Sequence, residues 1–409
     1  MQVVVLGAGV VGVAAAWYLR EAGHDVLVLD RQPGPGMETS FANGGQISVS
    51  HAEPWASPGA LAQVIEWLGR EDAPLLFRLR MDPQQWSWGL RFLLECLPSR
   101  YRRNTARLVR LGLYSRATLQ ALRRQTGIEY DQLERGILHF YTDPRALEAA
   151  AEHAGFMRGL GVDRETKTRE ECIAIEPALA ALGTRLAGGT YSAADESGDA
   201  HAFTRELAKL CAARGVKFEF GKTIERIVAE GDRVRAIQAD GKPVRADAFV
   251  VSLGSYSPQL LRPIGVRLAI YPAKGYSVTL PVKHPAAAWT VSLTDEAHKI
   301  VFSRLGERLR VAGTAEIAGY DTSVNEVRCR AIVARTRELF PDAGDYEKTE
   351  YWSGLRPATP GNIPYIGRTR YANLYLDTGH GTLGWTHACG SGRLTADIVS
   401  GRKTEIDFG

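Results

Sequence analysis

Residues 3–30 impose the tightest constraint on what this chain can fold into. VVVL at 3–6 is an unbroken apolar run of the kind found in strands covered on both faces, and GAGVVG at 7–12 follows it directly. Ala14, Ala15, Ala16 and Leu19 continue a helical pattern, Gly23 ends it, and VLVL at 26–29 delivers Asp30 at the close of a second strand. Strand, glycine turn, helix, strand and acid in this order form the unit that binds a dinucleotide. Gly7 is expected to make the tight turn, Gly9 to let the backbone approach a pyrophosphate, and Gly12 to allow close helix–strand packing. Val10 and Val11 open the helix whose free N–H groups would face the phosphates. Asp30, with Arg31 beside it, is placed to accept from ribose hydroxyls and to repel a 2′-phosphate. A glycine-rich turn in an unrelated α/β protein is the competing reading, and the acid standing 18 residues after Gly12 argues against it.

The fingerprint serves NAD and FAD alike. A second loop, RQPGPGMETS at 31–40 and NGGQ at 43–46, offers Ser40, Asn43, Gly44, Gly45 and Gln46 to a cofactor extending along the sheet. Much later, RADAFVVSLG at 245–254 reads as a strand opening into a turn at Gly254, after a three-stranded meander at 217–220, 224–230 and 234–239. Pieces this distant suit FAD better than a simple NAD module.

Elsewhere, about 60–125 is helical, 201–214 is a helix beside the meander, 276–280, 300–303 and 309–313 are β-like, and 325–339 is helical again. The fold class expected is α/β, a Rossmann-like domain of residues 1–60, 186–262 and 345–409, with residues 61–185 and 263–344 forming a substrate domain of β layer and helical segments. A net charge of +4 gives no warrant for a nucleic-acid partner. Five cysteines, at 96, 172, 211, 329 and 389, form no CxxC pair, so neither a disulfide scaffold nor a metal cluster is expected. No basic n-region precedes the apolar start, and no apolar run reaches the roughly 18 residues of a membrane span. A cytoplasmic protein is expected, and nothing specifies an oligomeric state.

SFANGGQ at 40–46, Pro54-Trp55, Pro58-Gly59, GLRP at 354–357 and the segment 373–392, with LDTGHGTLGWT at 376–386, add to the fingerprint. Together these resemble the FAD-dependent family that contains bacterial D-amino acid dehydrogenases, D-amino acid oxidase and glycine oxidase, the dehydrogenases most of all, over essentially the whole chain. The resemblance implies a non-covalent FAD, an antiparallel β-sheet substrate domain over the flavin, and oxidation of a D-amino acid to an imino acid that hydrolyses to a 2-oxo acid and ammonia. It also implies electrons passed to a quinone or other respiratory-chain acceptor. An imino-acid dehydrogenase acting on D-proline or hydroxy-D-proline, or a glycine or sarcosine oxidase, is the alternative within the family. Gly361 stands where the family often has an aspartate after RPxTP. Cys389, in a glycine turn, matches the relatives that hold FAD without a covalent link.

Within that frame, Arg356 is the candidate clamp for the substrate carboxylate, because a guanidinium offers two parallel donors, and Pro357 and Pro360 stiffen its backbone. Gly379, His380, Gly381, Thr382, Leu383 and Gly384 are expected to close over the flavin, with a helix starting near Thr386. His380 reads either as a packing histidine or as one that acts on the flavin. Tyr276 either bonds the carboxylate opposite Arg356 or is simply packed. Lys274 is a candidate for lying near the substrate, His51 for the pocket rim, and Arg304 a weaker one. No side-chain base is assigned. The aromatic, leucine and arginine mixture at 86–113 fits peripheral contact with the cytoplasmic face of an inner membrane, or helices packed on their own domain.

Overall fold

The computed structural model describes residues 1–60 and 74–408. The helical expectation for 61–73 lies outside them. The apolar run of the fingerprint becomes the strand Gln2–Leu6, with Val3 to Leu6 all buried. It sits between Asp25–Leu29 and Ala248–Val251, parallel to both, with Val5 opposite Val28 and Val250. The full order across this six-stranded sheet is Tyr365–Arg368, Leu374–Thr378, Ala248–Val251, Gln2–Leu6, Asp25–Leu29, Lys217–Glu219. Only Tyr365–Arg368 is antiparallel to its neighbour.

Helix Val10–Glu21 packs against helix Gly384–Val399. They approach so closely that a Cβ on Gly392 would lie 2.8 Å from the Ala14 carbonyl carbon. Ala200–Ala213 lays Phe203, Leu207 and Cys211 in one core with Val13 and Trp17, against which Phe218 and Phe220 from the first of the expected meander strands also pack. The meander itself is shifted. Lys217–Glu219 leaves to edge the parallel sheet, and the three antiparallel strands are Ile224–Glu230, Arg233–Ala239 and Lys242–Val244.

A second sheet runs Glu350–Ala358, Tyr271–Pro281, Arg308–Ile317, Ile300–Leu305, Ser292–Asp295, Ile137–Tyr141, Gly188–Ser192, Glu165–Lys167, with Leu75–Phe77 pairing parallel to Arg308–Ile317. It is antiparallel except at that pair and between Ser292–Asp295 and Ile137–Tyr141. Gly188–Ser192 and Glu350–Ala358 thus pair here, although the sequence ranges grouped them with the dinucleotide fold. The helical stretch after residue 80 is two helices, Pro83–Glu95 and Pro98–Thr126. Pro98 starts the second, where a missing N–H costs nothing, and Gly127 ends it in the left-handed region at φ 65°.

The loop 39–46 straps the two sheets together. Ser277 Oγ donates to Ala42 O at 2.6 Å, Ser303 Oγ to Gly44 O at 2.7 Å, and the buried Arg310 to Asn43 O at 3.1 Å, while Thr39 Oγ1 donates to Leu355 O at 2.8 Å. Gln46–Ile47 adds a short antiparallel pairing with Glu196–Ser197.

Candidate active site

A cavity of about 1200 Å³ runs from the glycine turn at Gly7 to Arg356 on the second sheet. That exceeds the roughly 300–1,000 Å³ of a site for one drug-sized ligand, so it has room for a dinucleotide and a small substrate. At its first end Gly7 has φ 107°, open to glycine at little cost. A Cβ on Gly12 would lie 1.9 Å from Gly7 O, which is the close packing expected of it, whereas one on Gly9 would meet nothing nearer than 3.7 Å and faces the cavity. Val10 N donates to Ser40 Oγ at 3.1 Å, and no side chain caps the N-cap Gly9. The first-turn N–H groups at Val11 and Gly12 therefore point where an anion would sit.

Asp30 accepts from Ala8 N at 2.6 Å and Gln32 N at 2.8 Å, which fixes its carboxylate at the cavity edge. Burial raises its pKa, and these two N–H groups oppose the rise. Arg31 pairs with Glu38 at 2.6 Å and lies 4.0 Å over the Tyr256 ring. Asn43, Gly44, Gly45, Gln46 and Gly254 also line the cavity, and Gln46 Nε2 donates to Ser292 Oγ at 3.0 Å.

The run 379–384 also lines the cavity. Gly379 and Gly381 take φ values of 84° and 55°, and Gly381 N donates to Pro357 O at 3.0 Å, tying the loop to the arginine's own strand. The helix behind starts at Gly384, two residues before the expected Thr386, with no side-chain cap at Leu383. A second uncapped helix N-terminus thus opens on the same cavity. His380 is buried, and that burial pushes its pKa down to about 3, so the ring is neutral. Its Nε2 is 3.4 Å from Oδ1 of Asp377, whose fully buried carboxyl is pushed up to about 8 and so keeps its proton at neutral pH.

Arg356 forms the far wall. Its Nη1 donates to Thr314 O at 3.1 Å, its guanidinium carbon is 5.9 Å from the Trp55 ring centroid, and no acid pairs with it among the described residues. Burial, then the charge of Arg328, lowers its pKa to about 10, which leaves it cationic at neutral pH. The guanidinium lies across Gly275, where a Cβ would come 2.3 Å from Cζ. A half-buried cation with donors left over and open space before it is suited to a carboxylate.

The other candidates divide. Tyr276 lines the cavity, but its phenol donates to the buried Glu316, which Arg78 also meets. Lys274 is buried away from the cavity, its Nζ 2.8 Å from Asp321 Oδ2 and 3.4 Å from Glu316 Oε2. His51 lines the cavity, while Arg304 does not and bonds Gly306 O at 3.2 Å. Gly361 lies outside too, where a Cβ would be 2.6 Å from Asn104 Nδ2, so a side chain here would have to displace the Asn104 amide. Cys389 is buried in its helix, and no cysteine among the described residues lines the cavity. Sequence reasoning missed Gly275, Thr314 and Asp377. A lone glycine inside the strand pattern AKGYS was the available signal for the first.

The sequence profile of the FAD dependent oxidoreductase family matches residues 2–398. The chain is 58% identical over 413 residues to the D-amino acid dehydrogenase of Dechloromonas aromatica (strain RCB), covering 100% of this chain and 99% of that one. It is likewise 58% identical over 409 residues to the D-amino acid dehydrogenase of Paramagnetospirillum magneticum (strain ATCC 700264 / AMB-1), covering 100% and 97%. The crystal structure of glycine oxidase from Geobacillus kaustophilus superposes with a TM-score of 0.78 at 23% identity, covering 99% and 96% of the two chains.

Proposed function

Because this chain belongs to the family of FAD-dependent oxidoreductases, we propose that it oxidises D-amino acids to imino acids, which water converts to 2-oxo acids and ammonia. The single observation that carries the reading is Arg356, a cation without an acidic partner among the described residues, facing the cavity that starts at the dinucleotide turn. FAD, when bound there, supplies the acceptor for the hydride leaving the substrate Cα. Gly7, Gly9, Gly12, Val10, Val11, Asp30 and Arg31 would hold its adenosine and phosphates, and residues 40–46, Gly254 and 379–384 its remainder. No cysteine among the described residues lines the cavity, which supports a non-covalent attachment.

Arg356 would take the substrate carboxylate bidentately and so fix Cα toward the cofactor, a placement that accounts for much of the rate of such a transfer. The amine must be neutral to release hydride, and a water or a backbone carbonyl takes its proton, since the Tyr276 phenol is engaged with Glu316. Tyr276 then shapes the wall beside the clamp, and His51 the rim.

A quinone or another respiratory-chain acceptor receives the electrons in this proposal. Support comes from Leu79, Trp86, Leu90 and Leu93, which are exposed large apolar side chains and yet line the cavity, so its mouth opens beside an apolar surface. Peripheral membrane contact through helix Pro83–Glu95 fits that surface. No helix among the described residues is long and apolar enough to cross a membrane.

The test is anaerobic mixing of the purified yellow protein with D- and L-amino acids, glycine, sarcosine and D-proline while the visible flavin band is followed. Bleaching by D-alanine and other D-amino acids, absent with their mirror images, is expected. Bleaching by glycine, sarcosine or D-proline alone would overturn the substrate class.

A further inference from the structure

His51, at the rim of the cavity, converges with His139 and Glu296, to which the reaction gives no role, where the chain after Ser50 meets the second sheet. His139 lies on Ile137–Tyr141 opposite Thr294, and that register brings Glu296, two residues on, beside its ring. His139 Nδ1 is 2.8 Å from Glu296 Oε1. The ring is 1% exposed, and its Nε2 has no hydrogen-bond partner among the described residues. The His51 ring centroid is 5.0 Å from that of His139, and one donor atom from each of the three residues lies within 4.8 Å of the others. His51 and Glu296 both line the cavity.

An Nδ1–H donated to Glu296 leaves the lone pair on Nε2, buried and unanswered, which is an unfavourable state for a polar atom. Imidazole backed by a carboxylate is also the pairing that fixes a metal-binding histidine in the right tautomer. Lys299 Nζ holds the other Glu296 oxygen at 2.6 Å, so the glutamate acts from behind His139. His51 lines the cavity and His139 lies buried behind it, so the two imidazoles suit a borderline-soft divalent ion that enters past His51.

We propose that His51 and His139, oriented by Glu296, bind a divalent cation of the zinc class in the cavity wall, its remaining coordination positions facing the substrate space.

The test is equilibrium dialysis of the FAD-loaded protein against zinc chloride, with metal analysis, for the parent, His51→Ala, Glu296→Gln and His139→Gln. The parent should hold one saturable zinc per chain whose affinity falls at least about tenfold in His51→Ala and roughly 10–100-fold in Glu296→Gln. A parent without saturable zinc, or both variants matching the parent, would overturn the site. His139→Gln touches a buried strand, so if it does not fold the other two decide. Binding is read without turnover and stands or falls separately from the reaction proposed above.

Discussion

Replacing Asp377 with asparagine should stabilise the protein, by an amount that depends on pH in a specified way. The carboxyl is fully buried at the end of Leu374–Thr378, and burial raises its pKa from 3.8 to about 8 against the opposing effect of the Thr395 and Ser391 side chains. The folded state therefore keeps a proton that the unfolded chain releases above pH 3.8. Stability from this group is highest below that value, falls as pH rises, and levels off above about pH 8. The slope is about 1.4 kcal/mol per pH unit, so by pH 7 the group costs the fold about 4 kcal/mol. Asparagine has the same shape and no proton to lose. With an unfolding entropy near 0.9 kcal/mol per kelvin for a chain this long, the gain at pH 7 corresponds to a melting temperature about 4–5 °C higher. Thermal melts of the FAD-loaded parent and variant from pH 5 to pH 9 measure it, and infrared spectra should show a protonated-carboxyl band in the parent alone. A difference in melting temperature that is flat across pH, or a variant less stable than the parent at pH 8, would refute the reasoning.

Arg356→Lys removes the paired donors but keeps the charge, so kcat/KM should fall about 10–150-fold, the equivalent of roughly 1.5–3 kcal/mol for one charge-assisted hydrogen bond. The yellow colour should stay, and unchanged kinetics would remove the clamp. Gly275→Ala puts a methyl 2.3 Å from the guanidinium carbon, where carbon contacts need about 3.5 Å, and should raise KM at least about tenfold with FAD content unaltered, checked by steady-state kinetics and absorbance. Gly12→Ala places its Cβ 1.9 Å from Gly7 O and should give protein lacking visible absorbance; a fully loaded variant would show that the turn tolerates the displacement.

The dinucleotide end was legible because its information is local: turn, helix and acid all lie within residues 3–30, and the structure returns them nearly residue for residue. Arg356 was legible through its motif, but its setting was not. The carbonyl of Thr314 that it bonds and the bare face of Gly275 come from other strands of the sheet, and strand pairing is chosen by non-local contacts that one sequence does not display. The same limit produced the misplaced meander. Lys217–Glu219 has the residues of any short strand, and only the free edge beside Asp25–Leu29 decides where it pairs. Helix Ala200–Ala213 showed its apolar stripe plainly while its partner, Val10–Glu21, lay almost the whole domain away in sequence.

The strap at 39–46 makes cofactor occupancy a property of both sheets. Its serine and arginine anchors, Ser277, Ser303 and Arg310, belong to the second sheet, whereas its other face borders the cavity. A ligand that binds only the strapped conformation stabilises that conformation by mass action, and the free energy is shared with whatever holds the strap in place. Damage at Arg310 should therefore appear first as a weaker grip on FAD, with protein purified partly colourless while each loaded molecule turns over normally. In a cell, the supply of flavin would then set how much of this chain survives long enough to work.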